Sequence, residues 1–315
     1  MKITLLDAKT LGEGLDISVL SRFGEIESYD YSAYDEIANR IETSDVILIN
    51  KVKIDETTLA LAKNLKLICI FATGYDNIDL AACDKRGIAV CNVKGYSTHS
   101  VAQLTILMAL TLLEKINDYT EFVRDGSYTR SGIPNRLIPI SHELYGKTWG
   151  IIGAGAIGKQ VAKVAEAFGC RVLAFKRTPD ESLNCVSLDT LIRESDVISL
   201  HTPLNDGTRG LIGERELDIM KKDAILINVA RGAVTDENAV AEAVLSGKIG
   251  GFATDVYSVE PFGESHPMQR LINCKNVMLT PHMAWGTLEA RIKCLDEIVL
   301  NIESFLSGGK RNRVN

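Results

Sequence analysis

One hexapeptide constrains this chain more than any other stretch: Gly153-Ala154-Gly155-Ala156-Ile157-Gly158. Glycine is common in loops, so the G-x-G-x-x-G spacing takes its meaning from its flanks. Lys147–Ile152 runs into it as a short apolar strand. Ile157, Val161, Val164, Ala165 and Phe168 then recur at helical spacing, and Gly169 stands where a glycine stops a helix. A second strand, Cys170–Phe175, follows. The pattern of strand, glycine turn, helix and strand gives each glycine a task. Gly153 allows the tight turn, Gly155 lets backbone approach a pyrophosphate, and Gly158 lets the helix lie close to the sheet. The helix N-terminus, at Ala156 and Ile157, offers N–H groups and partial positive charge to the same phosphates. The bland alternative is a structural turn; the four elements together favour a dinucleotide.

The end of the second strand sets the kind of dinucleotide. An NAD site carries Asp or Glu about 20 residues after the glycines, to accept from the ribose hydroxyls. Here the strand ends Phe175-Lys176-Arg177-Thr178. Lys176 and Arg177 suit the 2′-phosphate that a carboxylate would repel. The cofactor expected is therefore NAD(H) or NADP(H), with NADPH favoured. A solvated basic turn is the alternative.

The chain has 315 residues, with 35 Lys+Arg against 41 Asp+Glu and a net charge of −6. That length predicts two domains. Mild acidity argues against a nucleic-acid partner, since phosphate binding wants a basic face. Met1–Asp7 reads as a strand entering the fold, so no signal peptide is expected. The longest apolar run, Leu104–Leu113, is interrupted by Thr105 and Thr111 and is too short for a bilayer, so no membrane partner is expected. The seven cysteines are scattered without zinc spacing. They predict reduced thiols, a cytoplasmic location and no metal site.

Strand-like runs at Lys2–Leu6, Ile26–Tyr29, Val46–Ile49, Leu67–Phe71 and Ala89–Cys91 alternate with helical patterns at Tyr34–Glu42 and Glu56–Asn64. Such alternation implies a parallel sheet covered on both faces. In open α/β sheets ligands sit outside the carboxyl ends of the strands. The loops at Asn50-Lys51 and Ala72–Asn77 are thus candidates for substrate contact. A helix over about Ser100–Asn117 follows Gly95-Tyr96-Ser97-Thr98, with Ser97 or Thr98 as its cap. The segment from Thr120 to Leu144 reads as irregular, and a loop of that length suggests a subunit interface. A second series of strands, at Thr148–Ile152, Arg171–Phe175, Asp196–Leu200, Ala224–Asn228, Gly251–Asp255 and Asn276–Leu279, surrounds the glycine loop. The last helix, about Leu288–Leu306, should return to the first domain. The domains expected are 1–97 plus 287–315, and 98–286. The fold class is α/β: two doubly wound parallel-sheet domains, a Rossmann dinucleotide-binding domain inserted into a flavodoxin-like substrate domain.

Three strand ends in the second domain carry polar groups: Arg231 in Asn228-Val229-Ala230-Arg231-Gly232, Glu260 beyond Asp255, and His282 in Thr280-Pro281-His282. A cation, a carboxylate and an imidazole beside a nicotinamide suit hydride transfer at a carbonyl carbon. His282 would give the proton to the carbonyl oxygen in reduction and take it in oxidation. Glu260 would pair with His282 and orient it. Arg231 would bind the substrate carboxylate or carbonyl. Singly, each has a structural explanation; the conjunction favours catalysis. The same ends bring Val229, Ala230, Asp255, His282 and Ala284 to the cofactor, and His201-Thr202-Pro203 should line its cleft. His99, His142 and His266 receive no role.

These motifs resemble those of the D-isomer-specific 2-hydroxyacid dehydrogenase family, over the whole length of the chain. The resemblance rests on the glycine loop, on Asn228–Gly232, on Asp255-Val256-Tyr257 with Glu260-Pro261, and on Thr280-Pro281-His282. It implies that Arg231, Glu260 and His282 are catalytic and that the backbone N–H groups of Thr73 and Gly74 bind the substrate carboxylate, beside Lys51, the substrate candidate that the strand-end loops already offer. It also implies a homodimer. Ala72–Asp79, Gly95–Thr98 and Ala284–Arg291 are similar to the glycerate dehydrogenase, or hydroxypyruvate reductase, branch. The implied activity interconverts a small 2-oxo acid and its D-2-hydroxy acid, hydroxypyruvate/D-glycerate or glyoxylate/glycolate first. A D-lactate-type reductase is the alternative within enzymes. An NAD(H)-sensing, corepressor-like binding protein is the alternative outside them. Lys176-Arg177 departs from the acidic residue of many relatives.

Overall fold

The computed structural model describes residues 1–178 and 181–315. The chain divides into two compact units, Met1–Ser97 with Trp285–Asn315, and Thr98–Ala284.

In the first unit, β1 (Lys2–Leu5), β2 (Glu25–Ser28), β3 (Val46–Ile49), β4 (Leu67–Ile70) and β5 (Ala89–Cys91) form one parallel sheet in the order β2-β1-β3-β4-β5. This is the flavodoxin-like order. Every residue of β3, β4 and β5 is buried, which is why these strands read as unbroken apolar runs. Their alternate side chains feed two cores. Val46, Leu48, Leu67 and Cys69 pack with Ala290, Cys294, Leu295, Ile298 and Ile302 of the C-terminal helix, Leu288–Leu306. Ile47, Ile49, Ile68 and Ile70 pack with Ile37, Ile41, Leu59 and Cys83 on the other face.

The helices predicted in this unit are shorter than their patterns. Tyr34–Glu42 contracts to Ile37–Arg40, and Glu56–Asn64 forms turns in place of a helix. In the latter, Asp55 accepts the N–H groups of Thr57 and Thr58, while the Thr58 hydroxyl bonds the backbone of Asp55. Such local side-chain bonds compete with helix formation.

In the second unit, β6 (Thr148–Ile152), β7 (Arg171–Phe175), β8 (Val197–Leu200), β9 (Ile225–Asn228), β10 (Gly251–Thr254) and β11 (Val277–Leu279) form a parallel sheet ordered β11-β10-β9-β8-β6-β7. Cys185 adds a one-residue parallel bridge to Ala174 of β7, through Ala174 N–H to Asn184 O and Val186 N–H to Ala174 O, both 2.9 Å. Counted as a strand, this bridge completes the dinucleotide-binding order 3-2-1-4-5-6 with one further strand, and the order reverses between β6 and β8. A single bridging residue has no periodicity, so six strands were all that the sequence pattern revealed.

The helix predicted over Ser100–Asn117 spans Thr98–Glu114; Lys115, left-handed at φ 53°, ends it. The stretch predicted as irregular, Thr120–Leu144, begins inside a second helix, Ile116–Arg124, and continues into a short one, Ser127–Ser131. Gly126 and Gly132, both left-handed, bound the short helix, and the Ile116–Arg124 helix buries none of its residues. Neither helix has the buried apolar stripe by which a sequence announces one. Among the described residues no helix is long and apolar enough to cross a membrane.

Candidate active site

The carboxyl ends of the second unit's strands build the site. After β6, Gly153 is left-handed at φ +94°. A Cβ there would stand 2.6 Å from Thr202 N and 2.7 Å from His201 C, so the turn lies directly against the segment that leaves β8. At Gly158 a Cβ would stand 2.5 Å from Gly153 O, which keeps the helix Ala156–Ala167 close to the turn. Gly155 differs: a Cβ there would meet nothing within 4 Å. That open space borders the first turn of the helix, where Ala156 and Ile157 have N–H groups without intrahelical acceptors. Backbone donors beside open space fit a pyrophosphate. Lys176, half-buried, and Arg177, exposed, follow β7 at the same edge.

His201 ends β8. Trp149 donates its indole N–H to Ser199 Oγ at 2.9 Å, and Ser199 Oγ lies 2.9 Å from His201 Nε2. The indole can only donate, so Ser199 Oγ accepts from Trp149, and its second contact ties it to the imidazole. Nδ1 is fully buried without a hydrogen-bond partner, although the residue as a whole is half-buried. Burial pushes the imidazole pKa down to about 3. This histidine is neutral and is no proton donor at neutral pH.

Asn228 closes β9. Its amide donates to Arg231 O at 2.9 Å and its carbonyl accepts Ala230 N–H at 3.0 Å, which pins Val229, Ala230 and Arg231 into a turn. Arg231 Nη1 bonds Ala230 O at 2.9 Å. A Cβ on Gly232 would stand 2.0 Å from Tyr257 C, so this turn rests on the loop that follows β10.

Asp255, buried after β10, accepts three bonds from the turn that follows β11: Thr280 Oγ1 at 2.6 Å, Met283 N at 2.8 Å and Ala284 N at 2.8 Å. Tyr257 donates its hydroxyl to Thr280 O at 2.9 Å. Between these anchors His282 adopts φ +53°, a conformation that non-glycine residues rarely take and that the surrounding bonds must hold. Its Nδ1 lies 2.6 Å from Glu260 Oε2, and Glu260 Oε1 accepts Tyr257 N–H at 3.0 Å. Both side chains are partly open, 22% and 30% exposed, so a small molecule can reach them.

The other candidate residues stand at strand ends of the first unit. Lys51 is exposed after β3. Buried Asp7 holds that loop through the N–H groups of Asn50, Lys51 and Val52, at 3.0, 2.6 and 3.2 Å. After β4, Thr73 donates its hydroxyl to Val93 O at 2.8 Å, and Asn92 donates its amide to Thr73 O at 2.7 Å. No acceptor among the described residues takes the N–H groups of Thr73 and Gly74. Asp7 and Asn92, which shape these loops, escaped the sequence reading, as a single polar residue at a strand end does. Among the described residues no group of three or more His, Cys, Asp or Glu is placed to hold a metal ion.

A glycine-turn helix on a sheet of this order, with a histidine–carboxylate pair and an arginine at its strand ends, defines a dinucleotide-dependent oxidoreductase. Residues 106–284 match the family profile of the D-isomer specific 2-hydroxyacid dehydrogenase, NAD binding domain. The chain is 38% identical to the glycerate dehydrogenase of Methylorubrum extorquens over 99% of this chain and 98% of that protein. It is 35% identical to the hydroxypyruvate reductase of Blautia hydrogenotrophica over the full length of both. A solved acyclic imino acid reductase, in complex with NADPH and D-Arg, superposes with a TM-score of 0.87 at 30% identity, with both chains fully covered. This chain belongs to the D-isomer-specific 2-hydroxyacid dehydrogenases, enzymes that use a nicotinamide dinucleotide.

Proposed function

We propose that the chain reduces a small 2-oxo acid reversibly to its D-2-hydroxy acid, hydroxypyruvate or glyoxylate first, with NADPH preferred. The His282–Glu260 pair, 2.6 Å apart at the same carboxyl edge of the parallel sheet as the glycine loop, carries this reading. When bound, the reduced nicotinamide supplies the hydride. Gly153, Gly155, Ala156, Ile157 and Gly158 would hold its pyrophosphate, and Lys176 and Arg177 its 2′-phosphate. His201, Thr202, Pro203, Val229, Ala230, Asp255 and Ala284 would line the remainder. Glu260 occupies Nδ1 of His282, so Nε2 hands the proton to the carbonyl oxygen in reduction and takes it back in oxidation. Arg231 binds the carbonyl or carboxylate oxygens as a planar donor. The first unit serves as the substrate domain: the N–H groups of Thr73 and Gly74 take the carboxylate, and Lys51 adds positive charge.

Initial rates of NADPH and NADH oxidation with hydroxypyruvate, glyoxylate and pyruvate test the reading. Faster turnover with NADPH and hydroxypyruvate or glyoxylate is expected. Equal efficiency with both cofactors would refute the role of Lys176 and Arg177. Preference for pyruvate would make the enzyme a D-lactate-type reductase, and tight cofactor binding without turnover would favour a sensing protein. We also infer a cytoplasmic homodimer. All seven cysteines are free thiols. Leu137, Ile138, Ile140 and Tyr145 are 70–77% exposed, an apolar surface suited to a second copy. Ile138→Asp should then lower the mass measured by light scattering to that of one chain.

A further inference from the structure

Glu260 lies in a loop between β10 and the short helix Pro267–Leu271, and three side chains outside the reaction scheme tie that loop down. Glu237 opens the helix Glu237–Leu245 and is 9% exposed. Its Oε1 accepts Ser258 N–H at 2.9 Å, and its Oε2 accepts the Ser258 hydroxyl. His266 Nε2 stands 3.1 Å from the same Oε2 and 3.2 Å from Ser258 Oγ. His266 Nδ1 accepts Met268 N–H at 3.3 Å, so Nε2 carries the ring proton and points it at the carboxylate. The rings of Phe262 and Tyr257 pack on His266, with centroids 5.2 and 6.2 Å away. One buried carboxylate thus gathers the residues on both sides of Glu260. A buried charge is costly unless several donors compensate it, and Glu237 has three.

A serine, a histidine and a carboxylate together suggest a hydrolytic triad, but the bonding excludes one. A nucleophilic serine gives its proton to the histidine while the carboxylate holds the opposite ring nitrogen. Here the serine proton goes to Glu237, the carboxylate meets Nε2, and Nδ1 belongs to the backbone.

We propose that Glu237, Ser258 and His266 are positioning residues, which set the loop so that Glu260 reaches His282. The proposal rests on the assignment of Glu260 and His282 above. Ser258→Ala removes one hydroxyl from an exposed residue and should leave the fold intact, as thermal melting would verify. With the full chain, Ser258→Ala and Glu237→Gln should each lower kcat for the 2-oxo acid about tenfold, the worth of a bond to a charged group, at unchanged KM for the dinucleotide. Ser258→Thr, which keeps the hydroxyl, should retain most of kcat. In a Glu260→Gln background Ser258→Ala should cost nothing further, because its effect runs through Glu260. An equal additional loss in that background, or wild-type kcat in Ser258→Ala alone, would overturn the clamp. Wild-type kcat in Glu260→Gln alone would instead overturn the assignment of Glu260.

Discussion

His201 gives the sharpest quantitative test. Its ring is held at a pKa of about 3 by burial, while an unfolded chain titrates histidine near about 6.5. Between these values the unfolded state binds a proton that the folded state refuses. The folded pKa is depressed, so the stability associated with the neutral ring is complete above the unfolded value and is lost as pH falls. The loss at pH 5 relative to pH 8 is about 2 kcal/mol, from 1.36 kcal/mol per tenfold change in proton binding. His201→Gln places an amide, neutral at every pH, within reach of Ser199 Oγ. Its absolute stability will differ from the wild type, but its pH slope is the informative quantity. Urea unfolding at pH 8 and pH 5 should show the wild type losing about 2 kcal/mol more than the variant. Equal losses would refute the burial argument. So would a His201 ring that titrates near neutrality by NMR in the folded protein. The same neutrality bears on chemistry, because it removes His201 as a competitor to His282 for the proton.

Three further outcomes follow from the geometry. His282→Ala should lower kcat by about 10²–10⁴, the usual worth of a positioned acid–base group, while dinucleotide Kd measured by fluorescence stays unchanged; retention of full activity would refute the assignment. Gly155→Ala meets no protein atom within 4 Å, so its melting temperature should match the wild type while dinucleotide Kd rises, and an unchanged Kd would place the pyrophosphate elsewhere. Asp255→Asn replaces an acceptor with an amide N–H facing Met283 or Ala284 N–H, so it should cost about 1–3 kcal/mol in thermal unfolding and lower kcat with the His282 turn.

Those parts of the fold that depend on local rules were legible in the sequence. Gly153 needs a positive φ and Gly158 a close approach, and each demand falls on a single residue, so their spacing could be read directly. Strands β3, β4, β6, β8 and β9 are buried along their whole length and stand out as apolar runs. Glu260 and His282 lie far apart in sequence, yet their meeting could be inferred, because the ends of parallel strands share one edge. Other features depend on partners that the sequence does not display. The Cys185 bridge is one residue long. The Ile116–Arg124 helix has no buried face. The turns at Glu56–Asn64 arise because Asp55 and Thr58 satisfy their own backbone. His266, a loop histidine before a proline, acquires a role only when the fold brings Glu237 and Ser258 to it.

One device recurs at the loops that carry the proposed chemistry. Asp7, Asp255 and Glu237 are buried carboxylates, and each accepts bonds from a loop at a strand end. A buried carboxylate is expensive, and at Asp7 that cost is visible: burial pushes its pKa up while the N–H groups of Lys51, Asn50 and Val52 pull it back. An apolar residue could fill the same space but could not satisfy several backbone donors at once. An amide could accept at one atom but would present a donor at the other. Only an ionised carboxylate offers two acceptor atoms with room for three or more bonds. The loops that hold a left-handed histidine, an exposed lysine and a glutamate lie beyond the ends of the strands, outside the regular ladder of sheet hydrogen bonds. Charge-assisted bonds from a buried anion hold them from beneath, and leave the outward-facing groups for the substrate and cofactor.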